Sequence, residues 1–289
     1  LKGEGPLEAA QRISTAADSV LWFQAWDRLV EVDGAGKATL LRRDATDSFA
    51  RWAFPEGAGR GLVVTNGALR RLDHKKPLAV EARLDLRELS ALDGNGKGAV
   101  WAVGGSEAEQ RGPQALVRAA NDGAFQPVLG LPAASWSDVS AAADGGAWLA
   151  GGMSPGPAGE GILFHARGRA GGEGSARFRA PATLLAITAV GADEAWAVGA
   201  GGTVLHVRGA EVTRYALPGG EQLRAVFAAG PGDVWIGGDA GTLLHFDGAL
   251  FHPVAHPLGS NAAITSLASG AGAIWAASPS GLLRITGRP

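Results

Sequence analysis

Short apolar runs alternate with Gly- and Pro-rich turns along almost the whole chain. The turns come too soon for any run to sustain the 3.6-residue period of a helix, so the pattern predicts strands joined by tight connections. One unit of this pattern recurs. AWAVGAGGTVLHVRG (195–209) matches VWIGGDAGTLLHFDG (234–248). IWAASPSGLLRITG (274–287), VWAVGG (100–105), AWLAGG (147–152) and LWFQAWDRLVEVDG (21–34) follow the same plan. Each has a strand centred on Trp, then small residues and a turn, then an apolar strand that often ends near Asp-Gly or Arg-Gly.

The anchors are Trp22, Trp101, Trp148, Trp196, Trp235 and Trp275, with Val63 in the same slot of GLVVTNGALRRLD (61–73). Their spacings are 41, 38, 47, 48, 39 and 40 residues, which makes seven copies. The sixth is the cleanest, with four strands at LRAVFAA (223–229), DVWIGG (233–238), TLLHFDG (242–248) and LFHPVA (250–255). Four short strands in each copy predict an all-β, seven-bladed β-propeller of four-stranded antiparallel blades. The blades fall at roughly 12–43, 49–85, 87–130, 136–180, 184–217, 222–256 and 263–287, in one domain over 1–289. The seventh copy stops before a fourth strand, and a spare segment, PLEAAQRI (6–13), precedes the first. Gly5–Ala10 is therefore expected in or beside the blade of Trp275, closing the ring and covering a sheet edge.

Composition narrows the function classes. Net charge is −2 and no cluster of Lys and Arg marks a phosphate-tracking surface, which argues against nucleic acid. No apolar run is long enough to span a membrane. With no cysteine there is no disulfide, thiol catalysis or Cys-ligated metal. The chain starts at Leu1, which suggests a removed targeting or lipid-anchored segment. The 45 glycines suit narrow blade edges and tight hairpins. The excess of Arg over Lys, 21 to 5, points to a GC-rich bacterial gene.

LRAVFAAGPGDVWIGGDAGTLLHFDG (223–248) and LLAITAVGADEAWAVGAGGTVLHVRG (184–209) resemble bacterial propeller repeats of the photosystem II stability/assembly factor and sialidase-type (BNR) groups. The shared pattern is L-x-A-V, D-x-W-x-V-G, G-T-hydrophobic-L-H and D-G. It is good over 184–287 and looser over 12–183. The resemblance implies a seven-bladed, non-enzymatic propeller, often in the cell envelope. The sialidase Asp-box is absent, since the equivalent turns read HVRGAEVTRY (206–215) and HFDGALFHPV (245–254), so sialidase chemistry does not carry over.

His165, His206 and His245 occupy one third-strand slot, aligned with Glu31, Arg71, Arg118 and Arg284 elsewhere. Residues so related do not converge as metal ligands must, so packing or hydrogen bonding is expected. His252 and His256, in FHPVAHP, are expected at the surface. Asp18, Asp144, Asp193 and Asp233 precede the Trp strands and read as turn residues. GAGGT (199–203) and GGDAGT (237–242) read as hairpins, not phosphate loops. No catalytic residue, metal site or cofactor is predicted.

A scaffold repeats, so a specific site is expected where the repeat breaks. The second-to-third-strand connections lengthen to GGSEAEQRGPQA (104–115) and GGMSPGPAGEG (151–161) on one face. RDATDSFARW (43–52) and LPAASWSD (131–138) join blades on that face, and RGRAGGEGSAR (167–177) extends a hairpin on the other. Arg51, Trp52, Glu107, Glu109, Gln110, Arg111, Trp136, Asp138 and Glu160 are the candidate partner-binding residues. Trp52 and Trp136 lie off the anchor pattern, either as accessible stacking surfaces or as extra core. The expected function is a non-catalytic scaffold, periplasmic or extracellular and monomeric by itself, that binds a protein partner. A carbohydrate-binding propeller and a lactonase- or lyase-type enzyme are the alternatives.

Overall fold

The computed structural model describes residues 12–15, 21–25, 28–33, 35, 37–43, 52–65, 68–73, 76–83, 89–104, 115–118, 124–153, 159–167, 176–217 and 219–287. The fold is an all-β propeller of seven blades. Six blades have four antiparallel strands in sequence order and the seventh has three among the described residues. The described helix is a single 3-10 turn at Ala200–Gly202. That turn is the GAGG hairpin of blade 5, and Gly201 and Gly202 hold φ of 62° and 69°, where a side chain would be strained.

The chain forms two compact units, 1–83 with 232–289 and 84–231. The first contains blade 1 (Arg12–Thr15, Leu21–Gln24, Arg28–Val32, Ala38–Arg43) and blade 2 (Trp52–Gly57, Arg60–Thr65, Ala68–Asp73, Lys76–Arg83). It also contains blade 7 (Ser266–Gly270, Ala273–Ser278, Gly281–Ile285) and the outer strands of blade 6 (Asp233–Gly238, Leu243–Phe246, Phe251–Pro253). Gly5–Ala10 lies outside the described residues. The end of the spare segment joins the inner strand of blade 1, where Ile13 is buried with Leu21, Phe23, Val30 and Trp275. Phe23 meets Trp275 edge-on, with ring centroids 5.3 Å apart. A second cluster joins Trp22 and Leu29 of blade 1 to Ala53, Val63 and Leu72 of blade 2.

The second unit contains blade 3 (Leu89–Gly94, Val100–Gly104, Ala115–Arg118, Gln126–Pro127) and blade 4 (Ser135–Ala141, Ala147–Gly152, Gly161–Ala166, Ala176–Ala180). Blade 5 (Leu184–Ala189, Glu194–Gly199, Thr203–Arg208, Glu211–Ala216) and the first strand of blade 6 (Leu223–Gly230) complete it. Trp148 of blade 4 packs against Leu184, Ile187, Ala195, Leu205 and Val207 of blade 5. The anchor thus belongs to the interface between blades. All seven anchors, Val63 included, are buried. Small residues beside an indole let two sheets approach closely, and the indole supplies most of the apolar area removed from water.

Candidate functional site

Two of the expected partner-binding residues, Trp136 and Asp138, lie on the first strand of blade 4. Trp136 is 1% exposed and packs near Phe164, with ring centroids 6.3 Å apart. Its strand has a register shift between Trp136 and Asp138, so Trp136 lies opposite Gly151. Leu184 lies opposite Gly199 beside the same irregularity in blade 5, and it too is buried. Trp136 therefore fills an apolar slot of the repeat: of the two readings it is extra core, and its place among the partner-binding residues is corrected. Asp138 Oδ2 accepts the backbone N–H of Ile187 at 2.9 Å, a bond that joins blades 4 and 5.

Glu160 is exposed at the foot of the long blade-4 connection. Its carboxylate accepts from Arg179 Nη1 at 2.6 Å, and its carbonyl accepts from Met153 N at 2.7 Å. Arg177 Nη2 lies 2.9 Å from Met153 Sδ. The base of this connection is thereby framed by two strands and exposed charge. Trp52 opens the first strand of blade 2, opposite Val64. Its side chain lies outside the described residues, as do Arg51, Glu107, Glu109, Gln110 and Arg111.

Inner strands carry a second set of polar groups. Ser14 Oγ donates to the Ala53 carbonyl at 2.8 Å. Asp93 Oδ2 accepts from Ala141 N at 2.9 Å and Ser140 Oγ from Ala189 N at 3.1 Å. Each bond links one inner strand to the next blade's. Burial pushes the Asp93 carboxyl up to about 6, against hydrogen bonds from Ala141, Gly94 and Ser140 that favour its charged form.

The histidine slot has a specific partner. His165 lies flat on Trp148 at 4.1 Å, His206 on Trp196 at 4.0 Å, and His245 tilts over Trp235 at 4.5 Å. Cross-strand register sets these pairs. The same register places Glu31 opposite Trp22 and Arg284 opposite Trp275. It places Val117 opposite Trp101 and Arg70 opposite Val63, which corrects the expected Arg118 and Arg71 by one residue each. Arg71 instead pairs with Glu56. Polar groups then serve the indole nitrogens: Trp22 Nε1 donates to Glu31 Oε2 at 3.1 Å, Trp101 Nε1 to the Gly145 carbonyl at 3.1 Å and Trp275 Nε1 to the Gly270 carbonyl at 3.0 Å.

In blade 6, one oxygen serves both rings. Asp233 Oδ1 accepts from Trp235 Nε1 at 3.1 Å and His245 Nε2 at 2.9 Å. In blade 5, Glu194 Oε1 accepts from His206 Nε2 at 2.8 Å and Arg208 Nη2 at 3.1 Å. Burial opposes the charge of Glu194, but the bonds from Arg208 and His206 prevail and hold its carboxyl below the ordinary range. Asp233 was expected as a turn residue and is a ring-bridging acceptor instead. Asp144 does cap its turn, accepting from Gly146 N at 3.0 Å. His252 is exposed, as expected, and donates to Asp247 at 2.8 Å; His256 is half-buried against the Gly241 carbonyl at 2.9 Å. The signal for the acid was its place two residues before Trp, not its membership of a turn.

Among the described residues, no group of three or more His, Asp or Glu could hold a metal ion. Among them also, no helix is long and apolar enough to cross a membrane.

No family model matches the chain, and no curated protein matches it in sequence. Solved structures match it closely in fold. YCF48 bound to a D1 peptide aligns with TM-score 0.68 and 14% identity, covering 98% of this chain and 95% of YCF48. Virginiamycin B lyase from Staphylococcus aureus aligns with TM-score 0.64 and 16% identity, covering 95% of this chain and 93% of the lyase. The extracellular domain of the hybrid two-component system BT4673 from B. thetaiotaomicron aligns with TM-score 0.68 and 10% identity, covering 97% of this chain and 38% of that one. At such identities the likeness establishes the propeller fold, among neighbours that include both a lyase and a peptide-bound protein.

Proposed function

We propose that this propeller is a non-catalytic scaffold that binds a protein partner through the face carrying the long connections of blades 3 and 4. The observation that carries this reading is a contrast within the second unit. The inner-strand groups Asp93, Asp138 and Ser140 are committed to backbone amides of the neighbouring blade. At the foot of the blade-4 connection, by contrast, Glu160 and Arg179 form a solvent-exposed pair. Exposed charge on a loop anchored to a rigid sheet suits protein recognition. The peptide-bound YCF48 structure supports the same reading. The burial of Trp136 takes away one of two candidate sugar-stacking rings, which weakens the carbohydrate alternative. An envelope or extracellular location is proposed with this function, supported by the extracellular propeller domain of BT4673.

The test is a pull-down with the wild-type chain against a variant in which 106–114 and 153–160 are shortened. Loss of specific partners from the variant supports the reading. An unchanged partner set overturns it. A stoichiometric metal bound by the purified protein would favour a lyase-type activity instead.

A further inference from the structure

Blade 4 repeats the ring pair of blades 5 and 6 but not its acid. Gly146 stands two residues before Trp148, where Glu194 stands before Trp196 and Asp233 before Trp235. The donors remain. Trp148 and His165 are each 1% exposed, and neither Trp148 Nε1 nor His165 Nε2 has a protein acceptor. Arg167 follows His165 by two residues, as Arg208 follows His206. Arg208 pairs with its own blade's Glu194, whereas Arg167 pairs with Asp193 of blade 5. Indole Nε1 is donor-only, and the imidazole Nε2 donates in one neutral tautomer and when protonated. Two buried donors without an acceptor are costly, and a ligand that accepts from both offsets that cost.

We propose that blade 4 binds a small carboxylate at Trp148 Nε1 and His165 Nε2, which would accept from the two rings as Asp233 Oδ1 does in blade 6. The chemical class follows from the sister blades: in blade 6 one carboxylate oxygen accepts from both rings, and in blade 5 one accepts from the histidine. Arg167 is near enough to act on His165 electrostatically, and its half-exposed guanidinium adds positive charge nearby. The two nearby acids are already engaged, Asp144 by Gly146 N and Asp193 by Arg167. The site stands independently of the protein-binding reading, on the end of blade 4 away from Glu160.

The test titrates formate into the full chain while the Trp148 indole and His165 imidazole resonances are followed by NMR. Both are expected to shift saturably, with no such shift in chloride at equal ionic strength. In Trp148→Phe, which keeps the ring and removes the donor, the His165 shift should need about tenfold more formate. Gly146→Asp should supply the acceptor internally and abolish the response. A Cβ there would lie 2.8 Å from the Ala166 carbonyl oxygen, so Trp148→Phe is the deciding variant if Gly146→Asp does not fold. Propionate carries its carboxylate as a glutamate side chain does: binding by propionate as well as formate indicates a partner's side chain, and binding by formate alone a free anion. Absence of a saturable shift with either acid, or a response unchanged in Trp148→Phe, overturns the proposal.

Discussion

The backbone N–H of Ile13 donates to Ser266 Oγ at 3.1 Å, and that hydroxyl lies 3.4 Å from the Ile13 carbonyl oxygen, to which it donates in turn. The bonds join the inner strands of blades 1 and 7 across 253 positions of sequence. Ser266→Ala removes both and leaves the apolar contact of Phe23 with Trp275 in place. A loss of about 1–2 kcal/mol is expected. Urea unfolding should show a lower midpoint with an unchanged slope, because the surface exposed on unfolding is the same. A midpoint equal to wild type would mean that this pair contributes nothing to holding the blades together.

Beside the anchor slot of blade 2, space is already taken by the indole of blade 1. A Cβ on Gly61 would lie 2.7 Å from Trp22 Cη2 and 2.3 Å from the Phe54 carbonyl oxygen. Trp22 of blade 1 therefore reaches the backbone of blade 2 near buried Val63. Gly61→Ala should destabilise by about 1–3 kcal/mol, as overpacking does. Val63→Trp should be worse than Val63→Ile, although Trp is the commoner residue in the slot. Thermal melts of the three variants give the order directly, and a more stable Val63→Trp would contradict the packing argument.

Asp233 Oδ1 holds Trp235 and His245 together. Asp233→Ala leaves two largely buried donors unserved and should cost about 2–4 kcal/mol. Once His245 is already Phe, the same substitution should cost less, by about 1 kcal/mol or more. A double-mutant cycle on unfolding free energy measures the difference. Strict additivity would show that the shared oxygen does not couple the rings.

The register of the repeat is legible in the sequence because strand alternation and Trp spacing are local properties. The anchors, the tight turn at 200–202 and the third-strand histidines all follow from it. What is not local was misplaced. Trp136 looks off-pattern until the irregularity at Trp136–Asp138 puts it in the slot of Leu184. Asp138 resembles a surface acid because its partner, the N–H of Ile187, lies 49 residues away on another blade. Asp233 resembles a turn residue because Asp is common in turns, and its ring contacts depend on a strand that comes later in the chain. The missing acid at Gly146 can be read as a signal only after those contacts are known.

Asp93 gives stability a pH dependence of unusual sign for a carboxylate. Its folded value of about 6 lies above the ordinary 3.8, so the folded chain holds this proton more tightly than the unfolded chain. Below about 4 both states are protonated and the group contributes nothing to the pH dependence. As pH rises from about 4 to 6, the unfolded chain releases its proton first, and stability falls by no more than about 3 kcal/mol. Above about 6 the loss is complete. Glu194, held below its ordinary value, and His165, whose protonation burial opposes, both act in the reverse direction, losing stability as pH falls. The Asp93 contribution therefore has to be isolated by difference. Asp93→Asn keeps an acceptor for the Ala141 amide and removes the titration. Urea unfolding of both proteins from pH 4 to pH 7 should show the variant gaining on the wild type as pH rises. Parallel profiles would mean that folding does not raise the Asp93 pKa and that the bonds from Ala141, Gly94 and Ser140 at least balance its burial.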